Sequence, residues 1–381
     1  MSKATKPIVV FVINEYSFFL SHRKNLIHTL SQWFDITVLT DLSGEQDWQH
    51  DSTAYKLVHH KKRQGTLSSI KFFWTLVMKI NKVRPHFIFF VSLENCVFGS
   101  LAQMFLTYKK IFLLVTGTEN FLRQNSIRQK LIFQLFAIFL KLSINKSKLT
   151  YIFQNNDDPI ELSEALNISI KNFQIIYGNG IDMEQFSFQQ RFQDNPLKKK
   201  INILFASRLL KTKGVMIFYH AAQSLAKLNK FNFYMVGQYN PSHHLSISSK
   251  DWMLIQHSKN IIYQGHVSPV YIQEKFLEND IFVLPSSREG LPSSALEAAS
   301  TGMPLLLSNA TGCKECIAQG SFKNGILFDL QSNNSLEQSI LELCKDQESL
   351  AAYSKNSRAF VEKNFSLHKI AEEYRQLLYR A

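Results

Sequence analysis

The feature of this sequence that most constrains its fold is a regular alternation of two kinds of segment. Short apolar runs rich in β-branched and aromatic residues alternate with longer stretches in which apolar residues recur at a helical period. Parallel sheets covered by helices produce this pattern, because each pair of sequential parallel strands needs a long crossover connection, usually a helix. The alternation therefore predicts an α/β fold with parallel sheets.

The predicted strands form two consecutive sets. In the first half they are residues 8–13, 36–40, 87–92, 111–116, 151–154 and 174–177, and in the second half 201–206, 232–236, 261–264, 281–284, 305–308 and 326–328. A chain of 381 residues is long enough for two domains of typical size. We therefore predict two Rossmann-like, doubly wound domains that face each other across a cleft, with ligands at the carboxyl ends of the strands.

A polar, charged and proline-containing stretch separates the two sets of strands. It predicts a first domain over residues 1–187, a linker over 188–200 and a second domain over 201–362. The last part of the chain has a helical pattern only. We expect residues 363–381 to form a terminal helix that packs back on the first domain.

The positive charge of the chain is concentrated in its first half. The formal net charge is +13, and no acidic residue lies between Asp51 and Glu94 or between Glu119 and Asp157. Such a basic band indicates an anionic partner, which would be a lipid surface, a nucleic acid or a phosphorylated substrate. The alternative is a solvated basic face that binds nothing.

Residues 68–83 mix aromatic residues with lysines at a broadly helical spacing. A helix of this kind is typical of segments that lie on a membrane surface, and residues 128–148 have a similar composition. An ordinary helix that covers the sheet would explain the apolar residues equally well, but not the missing acids. The apolar runs at the amino terminus and at residues 131–144 are too short for a signal peptide or a membrane span, so we expect no segment to cross a membrane.

Four cysteines are too few and too scattered for the disulfide framework of a secreted protein, which favours a reducing compartment. Cys313 and Cys316 form a C-x-x-C pair without a second pair or a histidine cluster. We interpret them as packing residues and not as a metal site.

The strongest local motif is the segment SSREGLPSSALE, which follows the predicted strand 281–284 directly. Ser293 or Ser294 is a candidate cap for the following helix, whose unpaired N–H groups would receive phosphate. Glu289 lies in the loop, and Glu297 lies one or two turns into the helix. Two carboxylates at this spacing suit the paired hydroxyls of a ribose and a hexose. The alternative is that Glu297 only favours the positive helix start and that Glu289 is solvated.

A second motif, SRLLKTKG, follows the predicted strand 201–206. It places Arg208 and Lys213 at the carboxyl end of that strand. Two fixed cations there would hold a diphosphate and would stabilise the charge that develops as a nucleoside diphosphate leaves. Basic residues at a solvated helix entry are the alternative.

With these motifs the chain resembles the retaining glycosyltransferases of family 4, whose fold of two Rossmann-like domains is known as GT-B. The E-x7-E pattern matches Glu289 and Glu297, the R-L-x-x-x-K-G pattern matches residues 208–214, and YGNGID at 177–182 followed by Phe186 is similar to the family's N-G-V-D-x-x-x-F. The resemblance covers nearly the whole chain. Within the family, the chain is most similar to enzymes that build bacterial lipid-linked surface or N-linked glycans.

The resemblance implies a role for each matched residue. Arg208 and Lys213 would contact the donor diphosphate, and Glu289 would position the transferred hexose; these three are the candidate catalytic residues. Candidate donor-binding residues are Glu297, Gly290, Leu291, Gly237, His266 and Val267. In the first domain, the resemblance and the expected position near the cleft make His22, Arg23 and Glu119 candidate acceptor-binding residues, although each would equally suit a solvated surface position. One departure is that Asn14–Ser17 stands where many relatives have a glycine-rich loop.

The resemblance therefore predicts a retaining hexosyl- or N-acetylhexosaminyltransferase. Its donor would be a nucleotide sugar, with UDP as the expected nucleotide, and its acceptor a polyprenyl-diphosphate-linked or lipopolysaccharide-type glycan. We expect no metal ion and no cofactor, because the two cations take the metal's role. We expect an anionic membrane surface and no nucleic acid among its partners, and a cytoplasmic location at the inner face of the cell membrane.

Other classes of function remain open from the residues alone. The basic band and its aromatic residues would also suit a nucleic-acid- or membrane-binding module without catalysis. A sugar-nucleotide epimerase or a phosphorylase would share the fold, and a non-catalytic partner subunit of a glycan assembly complex would share the motifs in degenerate form.

Overall fold

The computed structural model describes residues 6–43, 53–61, 68–118, 137–138, 141, 148–192 and 200–381. The chain divides into two compact units. The first contains Met1–Gly180 together with Leu367–Ala381, and the second contains Ile181–Ser366. Each unit is built on its own parallel sheet, so the predicted α/β class with two doubly wound sheets is confirmed.

The first sheet has the strand order β3-β2-β1-β4-β5-β6-β7 with parallel neighbours throughout. Its strands are β1 Ile8–Glu15, β2 Asp35–Asp41, β3 Tyr55–His59, β4 Phe87–Val91, β5 Lys110–Val115, β6 Leu149–Phe153 and β7 Phe173–Ile175. The strand order reverses between β1 and β4, as in doubly wound folds. The sequence did not predict β3, which is a half-buried edge strand that contains Lys56 and ends at His59.

Helices cover this sheet, and aromatic side chains of the strands are buried beneath them. The helices of this unit are α1 Lys24–Leu30, α2 Ser68–Val83, α3 Leu93–Ala102 and α4 Asp157–Leu166. A helical turn at Tyr16–Phe18 and a π-helical segment at Phe19–Arg23 precede α1. The rings of Phe11, Phe89 and Phe112 stack across β1, β4 and β5 at 4.6 and 4.7 Å. Within the described ranges, no helix is both long enough and apolar enough to cross a membrane.

The last helix of the chain, Leu367–Arg380, belongs to the first unit. Its buried face consists of Ile370, Ala371, Tyr374, Leu377 and Leu378. This face joins the core that β1 and α1 form, and the ring of Tyr374 lies 5.8 Å from that of Phe89. The apolar residues recur at helical spacing, so one stripe of the helix is buried and the other is exposed.

The second sheet has the strand order β10-β9-β8-β11-β12-β13, again parallel. Its strands are β8 Ile201–Ala206, β9 Phe231–Val236, β10 Ile261–Tyr263, β11 Ile281–Leu284, β12 Leu305–Ser308 and β13 Gly325–Phe328. Its helices are α5 Val215–Leu225, α6 Ser249–Gln256, α7 Ile272–Glu278, α8 Ser293–Ser300, α9 Ser335–Leu343 and α10 Gln347–Phe365, and the terminal helix of the first unit is α11. The strand order reverses between the neighbours β8 and β11.

The division between the units lies at Gly180–Ile181 and Ser366–Leu367 and not in the predicted linker 188–200. Residues 193–199 of that linker are outside the described residues. Its first part packs on the second unit, because the buried guanidinium of Arg191 donates to the carbonyls of Phe276, Asn279 and Thr301. The first part of the predicted linker is therefore attached to the second unit by the buried side chain of Arg191.

Candidate functional site

The structure joins two of the predicted catalytic residues in an ion pair. Lys213 Nζ lies 2.6 Å from each carboxylate oxygen of Glu289. Lys213 follows β8 and Glu289 follows β11, and these strands are hydrogen-bonded neighbours at the point where the strand order reverses. In open α/β sheets, loops at this point form the crevice where ligands bind.

Hydrogen bonds between the two loops hold this pair in place. The carbonyl of Thr212 accepts from the backbone N–H of Ser287 at 2.8 Å and from the hydroxyl of Ser286 at 3.0 Å. Gly214 has a φ of 71°, and a Cβ at this position would lie 2.0 Å from the carbonyl oxygen of Pro285. Only glycine allows the two loops to approach this closely.

A third loop, which follows β12, supports Glu289 from its other side. The backbone N–H of Glu289 donates to the carbonyl of Thr311 at 2.9 Å. Gly312 has a φ of 78°, and a Cβ there would lie 2.4 Å from the carbonyl oxygen of Glu289. Sequence reasoning missed Gly312 as part of the site. The only available signal was a glycine shortly after a predicted strand.

Arg208 lies at the end of β8 with its side chain exposed. Among the described residues its guanidinium has no hydrogen-bond or ion-pair partner, so it is available to an anionic ligand. The loop 237–247 lies beside it, since Leu209 donates its N–H to the carbonyl of Gln238 at 3.1 Å. Burial, His244 and Arg208 together lower the pKa of His243, which places this histidine within electrostatic range of Arg208.

Glu297 is partly exposed on α8, and no side chain or backbone group of the described residues is hydrogen-bonded to its carboxylate. Desolvation by the surrounding protein raises the pKa of Glu297 to about 7. The expected cap of this helix by Ser293 or Ser294 is wrong: the N-cap residue is Pro292, which has no side-chain hydrogen-bonding group, and both serines lie in the first turn. The first N–H groups of a helix have no partner within it, so they remain available to an anion here.

The remaining predicted donor-binding residues lie on loops of the same unit. Gly290 and Leu291 are partly exposed between Glu289 and α8. Gly237 has a φ of 155°, and a Cβ there would lie 1.8 Å from the carbonyl oxygen of Ser207, directly before Arg208. His266 is exposed and Val267 is partly exposed in the loop after β10. In this loop the carbonyl of Gly265 accepts from the N–H of Gly237 at 2.9 Å.

The structure contradicts one of the three predicted acceptor-binding residues. Arg23 was expected to reach an acceptor, but its side chain is completely buried, with its Nη1 3.5 Å from the hydroxyl of Tyr374 on the terminal helix. Burial lowers the pKa of the Arg23 guanidinium. His22 is exposed, and its ring stacks on Phe18 at 4.7 Å. Glu119 lies outside the described residues.

The cysteines are unpaired thiols. Cys96, Cys313 and Cys316 are buried, and Cys344 is partly buried. Burial raises the pKa of each thiol, to about 12 for Cys344. Cys313 and Cys316 therefore pack as small apolar side chains beneath the loop that supports Glu289.

The second unit of the chain matches a known protein family. Residues 187–360 match the family description "Glycosyl transferases group 1". This range includes the loops that follow β8, β9, β10 and β11, and hence Arg208, Lys213, Glu289 and Glu297.

Two curated relatives are similar over most of the chain. The N,N'-diacetylbacillosaminyl-diphospho-undecaprenol alpha-1,3-N-acetylgalactosaminyltransferase of Campylobacter jejuni is 28% identical over 299 residues, which cover 76% of this chain and 75% of the relative. The UDP-Gal:alpha-D-GlcNAc-diphosphoundecaprenol alpha-1,3-galactosyltransferase of Escherichia coli is 25% identical over 361 residues, which cover 91% and 89%.

The fold is shared with solved structures of low sequence identity. The sucrose-phosphate synthase of Thermosynechococcus elongatus superposes with a TM-score of 0.77 at 14% identity, and the match covers 99% of this chain and 100% of the synthase. At this identity the likeness establishes the fold alone.

Proposed function

We propose that this chain, whose residues 187–360 match the group 1 glycosyltransferase family, transfers a hexose or N-acetylhexosamine, with retention, from a UDP-linked donor to a polyprenyl-diphosphate-linked or lipopolysaccharide-type acceptor. Such a reaction would extend a bacterial surface glycan. The named activities of the two relatives support the choice of a lipid diphosphate acceptor, and that of the Escherichia coli relative supports the choice of UDP.

One observation carries this proposal. Lys213 and Glu289 meet at 2.6 Å at the point where the strand order reverses in the second sheet, and Arg208 lies on the same loop as Lys213. A carboxylate and two cations suit a ligand that combines a diphosphate with a sugar, because the cations match the phosphates and the carboxylate accepts from sugar hydroxyls.

In the proposed reaction, a hydroxyl oxygen of the acceptor forms a bond to the anomeric carbon as the bond from that carbon to the diphosphate oxygen breaks. The bonding electrons leave with the nucleoside diphosphate, whose oxygen takes the acceptor's proton from the same face. Arg208 and Lys213 stabilise the departing negative charge, as does the start of α8. Because two fixed cations take this role, we propose that transfer needs no metal ion and no cofactor.

The carboxylates have separate tasks in this scheme. Glu289 orients the hexose by accepting hydrogen bonds from its hydroxyls, and it does not attack the anomeric carbon. Glu297 accepts from the ribose hydroxyls. Its lack of a hydrogen-bond partner among the described residues supports this assignment, since a partly buried carboxylate is stabilised when a ligand supplies donors. Gly290, Leu291, Gly237, His266 and Val267 frame the nucleotide sugar, and His22 and Glu119 are the proposed contacts to the acceptor.

We also propose that the protein works in the cytoplasm, bound peripherally to the inner face of the cell membrane. A polyprenyl-linked acceptor is confined to the bilayer, so its reactive sugar lies within a short distance of the headgroups. The net charge of +13 supports attraction to anionic lipids.

The decisive experiment is transfer of labelled sugar from a panel of UDP-hexoses and UDP-N-acetylhexosamines to synthetic polyprenyl-diphosphate-linked acceptors in detergent, with EDTA present. Wild type should give a lipid-linked product whose mass increases by one sugar and whose new linkage keeps the donor's configuration. Lys213→Ala should lose activity, whereas Lys211→Ala, an exposed lysine two positions away, should retain it.

Two outcomes would contradict the proposal. Conversion of the UDP-sugar to its epimer without transfer would identify an epimerase. Absence of turnover with every donor, together with salt-sensitive binding of DNA or RNA, would identify a binding module. Loss of activity on EDTA treatment would overturn only the metal-independent part.

A further inference from the structure

The first unit exposes a stripe of large apolar side chains along α2. Ile70, Trp74 and Met78 are 68%, 45% and 71% exposed. Residues spaced by four lie on the same face of a helix, so these three side chains form one continuous stripe. The opposite face of α2 is the one that packs, since Leu76, Val77 and Ile80 are buried in the core.

The loop after α3 extends this stripe sideways. Met104 and Phe105 are 67% and 44% exposed, and the ring of Phe105 lies 5.0 Å from that of Trp74. The loop is fixed to α2 by the side chain of Asn81, which donates to the carbonyl of Phe105 at 2.9 Å and accepts from the N–H of Thr107 at 3.3 Å. We call these five apolar residues, Ile70, Trp74, Met78, Met104 and Phe105, the docking patch.

Two exposed lysines border the docking patch. Lys71 and Lys82 are exposed, and their helical positions place them along one edge of the stripe. Lys79 points away, because its ammonium donates to the carbonyl of His59. Between residues 52 and 118 the only acidic residue is Glu94, which accepts from the side chain of Asn14. The segments that form the patch therefore carry a net positive charge.

We propose that the docking patch inserts into the headgroup region of an anionic bilayer, with Lys71 and Lys82 on the lipid phosphates. Large apolar and aromatic side chains bordered by lysines are the composition of helices that lie in the membrane interface. A nucleic acid would meet five exposed apolar side chains, which do not suit a polyanion in water. The inference rests on the proposed function, because a lipid-linked acceptor requires the enzyme to approach the bilayer.

The test is flotation of the full-length protein with vesicles of phosphatidylcholine alone or with added phosphatidylglycerol. Wild type should float with the anionic vesicles and remain in solution with phosphatidylcholine alone. The variant Trp74→Ser/Phe105→Ser should lose roughly tenfold or more in affinity for anionic vesicles, because it removes both exposed aromatic side chains. Circular dichroism would establish that each variant is folded.

A matched control lies on the second unit. Met253 and Leu254 are also exposed on a helix, three and four residues after Lys250. Met253→Ser/Leu254→Ser should float like wild type if the docking patch, and not any exposed apolar pair beside a lysine, carries binding. A second patch variant, Lys71→Glu/Lys82→Glu, should lose binding to anionic vesicles without removing an apolar side chain.

The outcomes separate this inference from the proposed function. Unchanged flotation of Trp74→Ser/Phe105→Ser, or no flotation of wild type, would overturn the docking patch. Failure of the proposed function would instead appear as absence of sugar transfer in detergent, where docking is unnecessary. In detergent, Trp74→Ser/Phe105→Ser should transfer sugar at the wild-type rate.

Discussion

Lys213 and Glu289 neutralise each other in the second unit, with the ammonium 2.6 Å from both carboxylate oxygens. Both side chains are largely buried. The pair is held from outside by the carbonyl of Thr212, which ties the two loops together, and by the contact of Gly312 with the backbone of Glu289. In the proposed reaction, a donor would exchange part of this pair for its own phosphate and hydroxyl groups, so the pair would preorganise both side chains.

Removal of either partner should therefore affect catalysis more than donor binding. Lys213→Ala is expected to lower kcat roughly 100-fold or more, because the departing diphosphate loses a fixed cation. Glu289→Gln should also lower kcat, because the sugar loses a charged acceptor of its hydrogen bonds. The combined variant should be less impaired than the product of the two effects, since the residues act together. Steady-state kinetics check this, and multiplicative effects would contradict it.

Donor binding should depend on pH through Glu297. Its pKa of about 7 lies above its ordinary value of 4.5, so the folded protein holds this proton more tightly than the unfolded chain does. The resulting contribution to stability is present at low pH and is lost as the pH rises through about 7. Because the ribose needs the ionised carboxylate, the donor KM should fall as the pH rises through about 7.

Glu297→Gln is the comparison for this pH dependence. Its amide does not titrate, so its donor KM should be higher at alkaline pH and nearly constant across the same range. The measurement is KM for the UDP-sugar between about pH 6 and 8 for both proteins. The same pH dependence in both proteins would rule out Glu297 as its source.

Two glycines allow the support of Glu289 to be tested separately from backbone strain. Gly312 and Gly320 have nearly the same φ, 78° and 82°, so the left-handed backbone alone should make alanine cost about 1–2 kcal/mol of stability at either position. Only at Gly312 would the new Cβ meet the carbonyls of Glu289 and Gly290.

Gly312→Ala should therefore lower kcat about tenfold or more by displacing Glu289, whereas Gly320→Ala should leave kcat unchanged. Thermal unfolding and kinetics on both variants make the comparison. An equal loss of activity in the two would indicate that strain alone is responsible.

The buried Arg23 offers a test of stability. Its Nε and Nη2 have no hydrogen-bond partner among the described residues. Arg23→Met is expected to leave the free energy of unfolding unchanged or to raise it by about 1–3 kcal/mol, because it removes a desolvated cation. The acceptor KM should not change. A higher acceptor KM with unchanged stability would indicate that Arg23 contacts the acceptor after all.

Arg191→Met is the contrasting variant. The side chain of this arginine is also buried, but it donates to the carbonyls of Phe276, Asn279 and Thr301. Its removal takes a charged donor away from each of these carbonyls, so it should destabilise the protein by about 3 kcal/mol. Differential scanning calorimetry compares the two variants directly. Similar melting temperatures would show that hydrogen bonding does not distinguish them.

Sequence reasoning recovered the local elements of the fold. All twelve predicted strands exist, and those at 201–206, 281–284 and 305–308 have the predicted bounds. These strands are buried, so their apolar runs stand out from the polar loops. The edge strand β3 was missed because its residues alternate only weakly. Its pairing with β2 is a contact between separate segments, which local pattern does not record.

The sequence alone determined the strands other than β3 and the segments that carry Arg208, Lys213, Glu289 and Glu297, because periodicity and motif are properties of neighbouring residues. Only the tertiary structure decided which distant residues meet. It brought Lys213 to Glu289 across 76 positions, and it buried Arg23 against Tyr374, 351 positions away. The physical reason is that such contacts depend on strand order and helix packing, which form when the whole chain closes around its cores.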